Sequence, residues 1–375
     1  MIAMIEKYGH FLMTVDPVHI GTGGYRLGRV DNSIIREPGT NLPKIPGTAL
    51  HGAIRHYAAY RYGKPKCAGQ SGHCGRPTCP VCYTFGSVAG DRARAGVVRI
   101  HDARILLFPV YSMVGPVWIT SPSALYDAGF SQNGQPFTVG GDKARWSDNL
   151  VSKDHLNLSW LMVEREENLP DIGWPEQLPT EIRNRVVLVS DKLFSQIVNS
   201  NLEVRTSVSI NPETGAAEER ALFTYEAIPR ATVLWMDVVV DDYAGEFPSK
   251  EKLERWGQTL QNEGKDDEKK KLLMKWNLIK KNETSQEDET QKALEKALEW
   301  LKNEKTHENN GEIWRWEKSE MQGIEQTPKG IIRAGLDWLE YLGVGGMGTR
   351  GFGRVKLICY KKEEPTKANS TLKEC

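Results

Sequence analysis

Apolar and polar positions repeat regularly enough along the 375-residue chain to predict most of its elements. Tyr8 to Val15 reads as a strand that runs through Pro17 into a glycine-rich loop. Beyond Thr48, which is suited to an N-cap, Ala49–Tyr62 has helical spacing: Leu50, Ala53, Ile54 and Tyr57 share one face, and Gly63 can stop the helix. Gly96 to Val110 has strand character, and Trp118–Ala128 suggests a strand edge followed by a short helix opened at Ser121-Pro122. Residues 129–185 show no usable period. After them come a strand, a helix and Val204–Ile210 in period-two alternation. Turn chemistry at Asn211–Gly215 and a return over Ala221–Tyr225 predict a long projecting β-hairpin. Late in the chain Thr327-Pro328 opens a helix with Ile332, Leu336, Leu339 and Leu342 on one face, and Val355–Tyr360 is a strand.

Residues 243–326 shift to Lys, Glu, Asp and Asn. One narrow stripe (Ala293, Leu294, Ala297, Leu298, Leu301) predicts an amphipathic helix there. Gly264–Lys271 and Asn303–Asn310 read as solvated, and the whole segment as a charged surface appendage.

Hydrophobic residues make up 39% of the chain and charged ones 26%, as in a soluble globular protein of one large or two modest domains. The longest apolar run, Ile105 to Trp118, is interrupted by Pro109, Gly115 and Pro116, and no signal pattern opens the chain, so the expected compartment is the cytoplasm. The net charge is zero but unevenly distributed. Residues 1–110 hold 14 Lys and Arg against 6 Asp and Glu, which leaves +8 there and −8 over the rest. A basic front part with glycine loops suits a phosphate-rich partner, and an uneven solvated surface is the plain alternative.

Two glycine-rich loops carry the candidate chemistry. The first (Gly21, Gly23, Gly24, Gly28) bears Arg26, Arg29 and Arg36 around one acid, Asp31. The second spans Gly343–Arg354 with Arg350 and Arg354. Glycine lets backbone N–H groups turn towards an anion. Gly346-x-Gly348-x-x-Gly351 matches a dinucleotide fingerprint literally, but it follows a helix and precedes a strand, the reverse of the required order. His51 and Arg55, four residues apart, share a helix face that can point at the first loop. Cys67, Cys74, Cys79 and Cys82, with spacing x6, x4 and x2, meet the needs of a structural zinc ion, with His73 adjacent as a possible substitute ligand. Two disulfides are the alternative, and nothing in the chain suggests secretion.

The stretches HIGTGGYRLGRVDNSIIRE, IPGTALHGAIR, CPVCYTFGS, VRIHDARILLFPV, WITSPSALY, VRTSVSINPETGAAEERALFTYEAIPR and GGMGTRGFGRV, in that order, make the chain resemble the RAMP-superfamily backbone subunits of type III CRISPR effector complexes. The likeness is nearest to the fourth subunit of the Cmr kind, with the third of the Csm kind beside it. It implies an α+β fold, a ferredoxin-like (RRM-like) palm with a β-hairpin thumb. The core would be residues 1–242 and 327–375, with a zinc knuckle at 67–82, the thumb at about 203–226, and a charged, partly helical insertion at 243–326. It further implies copies stacked along a CRISPR RNA with other Cas subunits, and cleavage of a complementary target RNA. In this analogy Asp31 is the catalytic acid and Glu226 assists, with Mg²⁺ or Mn²⁺ as cofactor. Arg26, Arg29, Arg36, Lys44, Thr48, His51 and Arg55, with Gly345, Gly346, Gly348, Thr349, Arg350 and Arg354, would grip RNA, and Leu222 and Phe223 would wedge between bases. A non-catalytic guide-binding scaffold and a stand-alone repeat-processing RNase are the alternatives. From the residues alone Asp31 reads as a turn residue rather than a catalytic one, and His19 as structural.

Overall fold

The computed structural model describes residues 5–23, 30–69, 72–90, 93–150, 154–262, 264–280, 287–308 and 311–363. In chain order the first elements are β1 (Glu6–Thr14), β2 (Lys44–Ile45), α1 (Gly47–Arg61), α2 (Pro80–Phe85), β3 (Val98–Ile100), β4 (Ala103–Val110), β5 (Val117–Thr120) and α3 (Pro122–Asp127). Then follow β6 (Lys143–Trp146), β7 (His155–Leu158), β8 (Leu161–Arg165), α4 (Thr180–Arg183), β9 (Val186–Val189), α5 (Asp191–Ser200), β10 (Glu203–Ile210), β11 (Ala217–Ala227) and β12 (Val233–Val240). The chain closes with α6 (Lys250–Gln261), α7 (Asp266–Lys275), α8 (Glu287–Lys302), β13 (Lys305–Glu308), β14 (Gly311–Trp314), α9 (Pro328–Leu342) and β15 (Val355–Glu363).

The main sheet runs β15-β1-β12-β4-β5-β9-β6-β8-β7. Its first four strands, with α1 between β1 and β4 and α9 between β12 and β15, have the β-α-β-β-α-β connectivity and strand order of a ferredoxin-like palm. Expectation and structure agree on this α+β class. The chain clusters into two compact units. One comprises residues 6–50, 100–238 and 339–375, and the other 51–99 with 239–338. The first is built on a core of Phe11, Leu106, Leu107, Phe130, Val186 and Trp235, among others. Strand β5 is followed by Ser121, whose hydroxyl accepts the Ala124 N–H and so starts α3, as the Ser-Pro pair predicts.

Several expectations are corrected. Gly96–Val110 is two strands. The stretch 129–185, opaque in sequence, holds β6, β7 and β8, four or five residues each; β7 and β8 form a tight hairpin, while β6 pairs with β8 and β9, farther along the chain. Thr48 is not the cap of α1. The helix begins at Gly47, and the Asp102 carboxylate takes the Gly47 N–H at 2.7 Å while pairing with Lys44 at 2.6 Å.

In the second unit α1 and α9 cross at a glycine. A Cβ on Gly335 would stand 2.2 Å from the Ile54 carbonyl oxygen, so only glycine allows this approach. The charged segment is not a solvated appendage. Helices α6, α7 and α8 close over a core of their own, with Leu253, Leu260, Leu273, Ala297 and three tryptophans, Trp256, Trp276 and Trp300, buried. The Trp256–Trp276 and Trp276–Trp300 ring centroids lie 5.3 and 5.9 Å apart. Within the segments read as solvated, Glu304 is wholly buried, and Leu272 and Leu273, directly after the first of them, are buried too.

Candidate nucleic-acid interface and metal centre

The first unit brings three parts of the chain together. The hairpin β10–β11 forms its own two-stranded sheet, Val208 opposite Leu222 and Ser207 opposite Phe223. Most of its apolar side chains face outward: Leu222 is 62% exposed, Ile210 59%, and Val204, Val208 and Phe223 are also exposed. Such residues do nothing for the hairpin's own stability, which marks them for contact with something else. The sequence predicted a shorter hairpin; the observed strands extend to Glu203 and Ala227.

At the hairpin's foot lies Asp31. Its Oδ2 accepts from the Thr224 N–H and the Thr224 hydroxyl, both at 2.8 Å, while the Asp31 N–H donates to that hydroxyl at 2.9 Å. These bonds, the backbone one foremost, hold the Asp31 carboxyl below its ordinary value, so it is ionised at neutral pH. The side chain is exposed, and Oδ1 has no hydrogen-bond partner among the described residues.

Glu226, two residues beyond Thr224, is differently engaged. Its Oε1 accepts from Arg36 at 2.6 Å and its Oε2 from the Ile34 N–H at 3.2 Å, and the residue is buried. Arg36 also donates to the Asn199 Oδ1 and the Ile34 carbonyl. Both side chains are therefore tied into the protein around the Asp31 loop. His19 joins the same knot: its Nδ1 lies 2.7 Å from the Glu226 carbonyl oxygen and its ring meets Tyr225 edge-on at 5.7 Å.

The second glycine loop abuts the start of the first. The Gly346 N–H donates to the His19 carbonyl at 3.1 Å, and the Gly353 N–H to the Pro17 carbonyl at 2.8 Å. Gly345, at φ +90°, packs so closely that a Cβ would stand 2.4 Å from Ile20 Cδ1. The glycines thus serve close backbone approach first, and the amides of Gly346, Arg350, Gly351 and Gly353 bond inside the protein. Those four amides are lost to an anion cradle, while Gly345, Gly348, Thr349 and Arg350 remain exposed. Arg354 is bound to Asp16 through two hydrogen bonds, 2.5 and 3.1 Å, which together hold the Asp16 carboxyl low. Two arginines that sequence reasoning missed, Arg205 and Arg230, act on the same carboxylate. Arg205 lies 4.9 Å from the Phe352 ring centroid. No local motif marks either one; only the fold gathers them. Arg26 and Arg29 lie outside the described residues.

Lys44, paired with Asp102, and exposed Thr48 stand at the start of α1 in this unit. His51 and Arg55 fall in the other. Arg55 does not reach outward: it is 5% exposed and donates to the carbonyls of Cys67 at 2.8 Å and Gly86 at 2.8 Å. His51 packs edge-on against Phe85 at 5.3 Å, and burial, helped by the Arg55 charge, lowers its pKa. Both serve the cysteine module, as the shared helix face alone could not reveal.

The Sγ atoms of Cys67, Cys74, Cys79 and Cys82 all lie within 4.8 Å of one another, Cys74–Cys82 at 3.8 Å and Cys67–Cys79 at 4.0 Å. Tetrahedral bonds of about 2.3 Å to one ion space sulfurs about 3.8 Å apart, so the four fit one metal. His73 is not among them; its Nδ1 accepts the Val88 N–H. Contact with Cys67 raises the Cys74 pKa, but Cys79, Cys82 and the Lys64 ammonium outweigh it and bring the thiol to about 7.

A family profile described as the RAMP superfamily matches residues 11–356. Among curated proteins the chain is 27% identical over 254 residues to the CRISPR system Cmr endoribonuclease Cmr4 of Pyrococcus furiosus, covering 61% of this chain and 80% of that relative. It is 34% identical over 84 residues to the CRISPR system Cms endoribonuclease Csm3 of Methanothermobacter thermautotrophicus, 22% of this chain and 33% of that one. A chain of the type III-B Cmr-beta complex bound to cognate target RNA superposes with a TM-score of 0.51 at 16% identity, over 66% of this chain and 88% of the other, a likeness of fold. Among the described residues no helix is long and apolar enough to cross a membrane.

Proposed function

Since the chain belongs to the RAMP superfamily, we propose that it is a guide-RNA-binding backbone subunit of a type III CRISPR effector. In this reading copies stack along the CRISPR RNA beside other Cas subunits and cut complementary target RNA at Asp31. The names of the curated relatives, both endoribonucleases of CRISPR systems, support RNA cleavage within a complex. The observation that carries the assignment to Asp31 is its attachment: an exposed, ionised carboxylate tied by Thr224 to the foot of a hairpin whose apolar side chains face outward.

RNA supplies its own nucleophile. The 2′-hydroxyl gives its proton to solvent and attacks the adjacent phosphorus in line, while the bond to the 5′-oxygen breaks and that oxygen takes a proton from solvent; a 2′,3′-cyclic phosphate and a 5′-hydroxyl result, so the protein must fix geometry and neutralise charge. Leu222 and Phe223 displace a base and free the sugar beneath it to rotate into line. A carboxylate held below its ordinary pKa is a weak base, and Asp31 therefore acts as a ligand: its Oδ1 would hold Mg²⁺ or Mn²⁺, which supplies charge neutralisation at the phosphate. Its Oδ2 stays on Thr224, which keeps the carboxylate aimed. Arg205, Arg230, Arg350 and Arg354 hold the guide backbone electrostatically. Glu226 positions the Asp31 loop through Arg36 and Ile34 rather than touching RNA. The four thiolates bind a structural zinc ion and, filling all four positions, leave none for water.

Reconstitution with guide RNA and the partner subunits tests this reading. Target RNA is expected to be cut at regular intervals with Mg²⁺ or Mn²⁺ and left whole with EDTA. A complex that binds target and never cuts it supports the scaffold alternative, and site-specific cleavage of repeat RNA by the isolated chain supports the stand-alone RNase.

A further inference from the structure

The cysteine cluster and the charged insertion are separated by some 160 residues of sequence, yet they belong to one compact unit. The residues that join them come from the loops that the cysteines close. Thr78, directly before Cys79, donates its hydroxyl to Glu304 at 3.0 Å. Lys64, three residues before Cys67, pairs with the same carboxylate, and Tyr62 donates to it at 3.2 Å. Glu304 is fully buried, so its charge depends on these partners staying in place. Arg76, between Cys74 and Cys79, pairs with Glu299 at 3.5 Å and lies 5.8 Å from the Trp300 ring centroid. Tyr83, directly after Cys82, donates to Asp242 and accepts the Glu246 N–H at 3.1 Å. From the other side, Arg315 donates to the Gly63 carbonyl at 2.5 Å.

Residues 64–83 have little regular structure to hold these side chains. Among the described residues they hold the 3₁₀ turn Pro65–Cys67 and the start of the six-residue α2, both far too short to persist by themselves. What fixes their mutual position is the convergence of the four sulfurs, with the buried Arg55 guanidinium on the Cys67 and Gly86 carbonyls behind them. We propose that metal binding at Cys67, Cys74, Cys79 and Cys82 and the folding of the insertion, residues 243–326, are one event. The metal holds the platform on which Glu304, Glu299 and Asp242 dock, and a docked insertion in turn tightens metal binding, as linkage requires. The proposal rests on reading the cluster as a metal centre.

Hydrogen exchange of the full chain, zinc-loaded and after chelation, reads the coupling directly. Amides in α6, α7 and α8 are expected to lose protection at least ~100-fold on zinc removal, while those of β4 and β12 change little. A second measurement uses Leu260→Ala, a core position of α6 that is 1% exposed. Competition with a chromophoric chelator should show zinc held at least ~10-fold more weakly in that variant. Unchanged protection in the metal-free chain overturns the proposal whether or not the variant folds, and so does unchanged affinity in a folded variant. A chain that takes up no zinc at all refutes the metal centre itself, a separate failure recognised by elemental analysis.

Discussion

Glu226 lies two residues from the acid's anchor, and replacing it separates architecture from chemistry. The side chains of the Arg36–Glu226 pair are 22% and 12% exposed, and their contact is 2.6 Å. Removing one member of a buried pair costs about 3–5 kcal/mol, and the Ile34 N–H loses its acceptor as well. Residual exposure, and the two other acceptors that Arg36 keeps at Asn199 and Ile34, set the loss for Glu226→Ala near the low end, about 3 kcal/mol. For a unit of this size that lowers the melting temperature by about 6–12 °C. Glu226→Gln keeps an acceptor for Arg36 or Ile34 and should lose about 1 kcal/mol. Urea denaturation of the isolated chain measures both. In the assembled complex at 25 °C the Gln variant should then cut target within about threefold of wild type. A Glu226→Gln protein of unaltered stability whose cleavage falls a hundredfold would refute the architectural reading and return Glu226 to the chemistry.

Three further outcomes are expected. Leu222→Ser with Phe223→Ser should leave stability within about 0.5 kcal/mol, because both side chains are exposed, yet slow target cleavage at least ~10-fold with guide binding kept; single-turnover cleavage and a filter-binding assay decide. Arg205→Gln and Arg230→Gln should each reduce the slope of log K against log salt for guide RNA by about 0.7, and an unaltered slope removes that arginine from the interface. The Asp31 carboxyl titrates below its ordinary 3.8, so the stabilisation from the Thr224 tie is complete above that value and is lost as pH falls through the lower folded one. Carboxyl-carbon NMR should find a midpoint below 3.8 and a flat response from pH 5 to 8; a midpoint near neutrality would make Asp31 a base instead.

The elements legible in sequence are those whose period is local. Strand β1, helices α1, α5 and α9, and the hairpin all show it, with boundaries off by a few residues. The palm, the two adjoining glycine loops and the four-cysteine cluster follow from segments that carry their own signature. What stayed hidden depends on partners far along the chain. Asp102 caps α1 from 55 residues away, and Glu226 meets Arg36 from 190. Arg55, basic and near a glycine loop, looks like an RNA contact until burial turns it towards the Cys67 and Gly86 carbonyls. The insertion hides its core because Trp256 in α6, Trp276 just past the end of α7 and Trp300 in α8 are scattered among charges, so no single helix shows a broad apolar face. Strands β6 to β8 are too short to establish a period, and β6 pairs non-locally, with β8 in parallel and with β9.

Single-turnover cleavage by complexes assembled with Asp31→Asn tests the central assignment most directly. The amide keeps an oxygen for Thr224 but lacks the charge, so target RNA should bind with unchanged affinity and remain uncut at every position this subunit faces. Cuts that persist at the wild-type rate would contradict it, and some other group would have to do the chemistry.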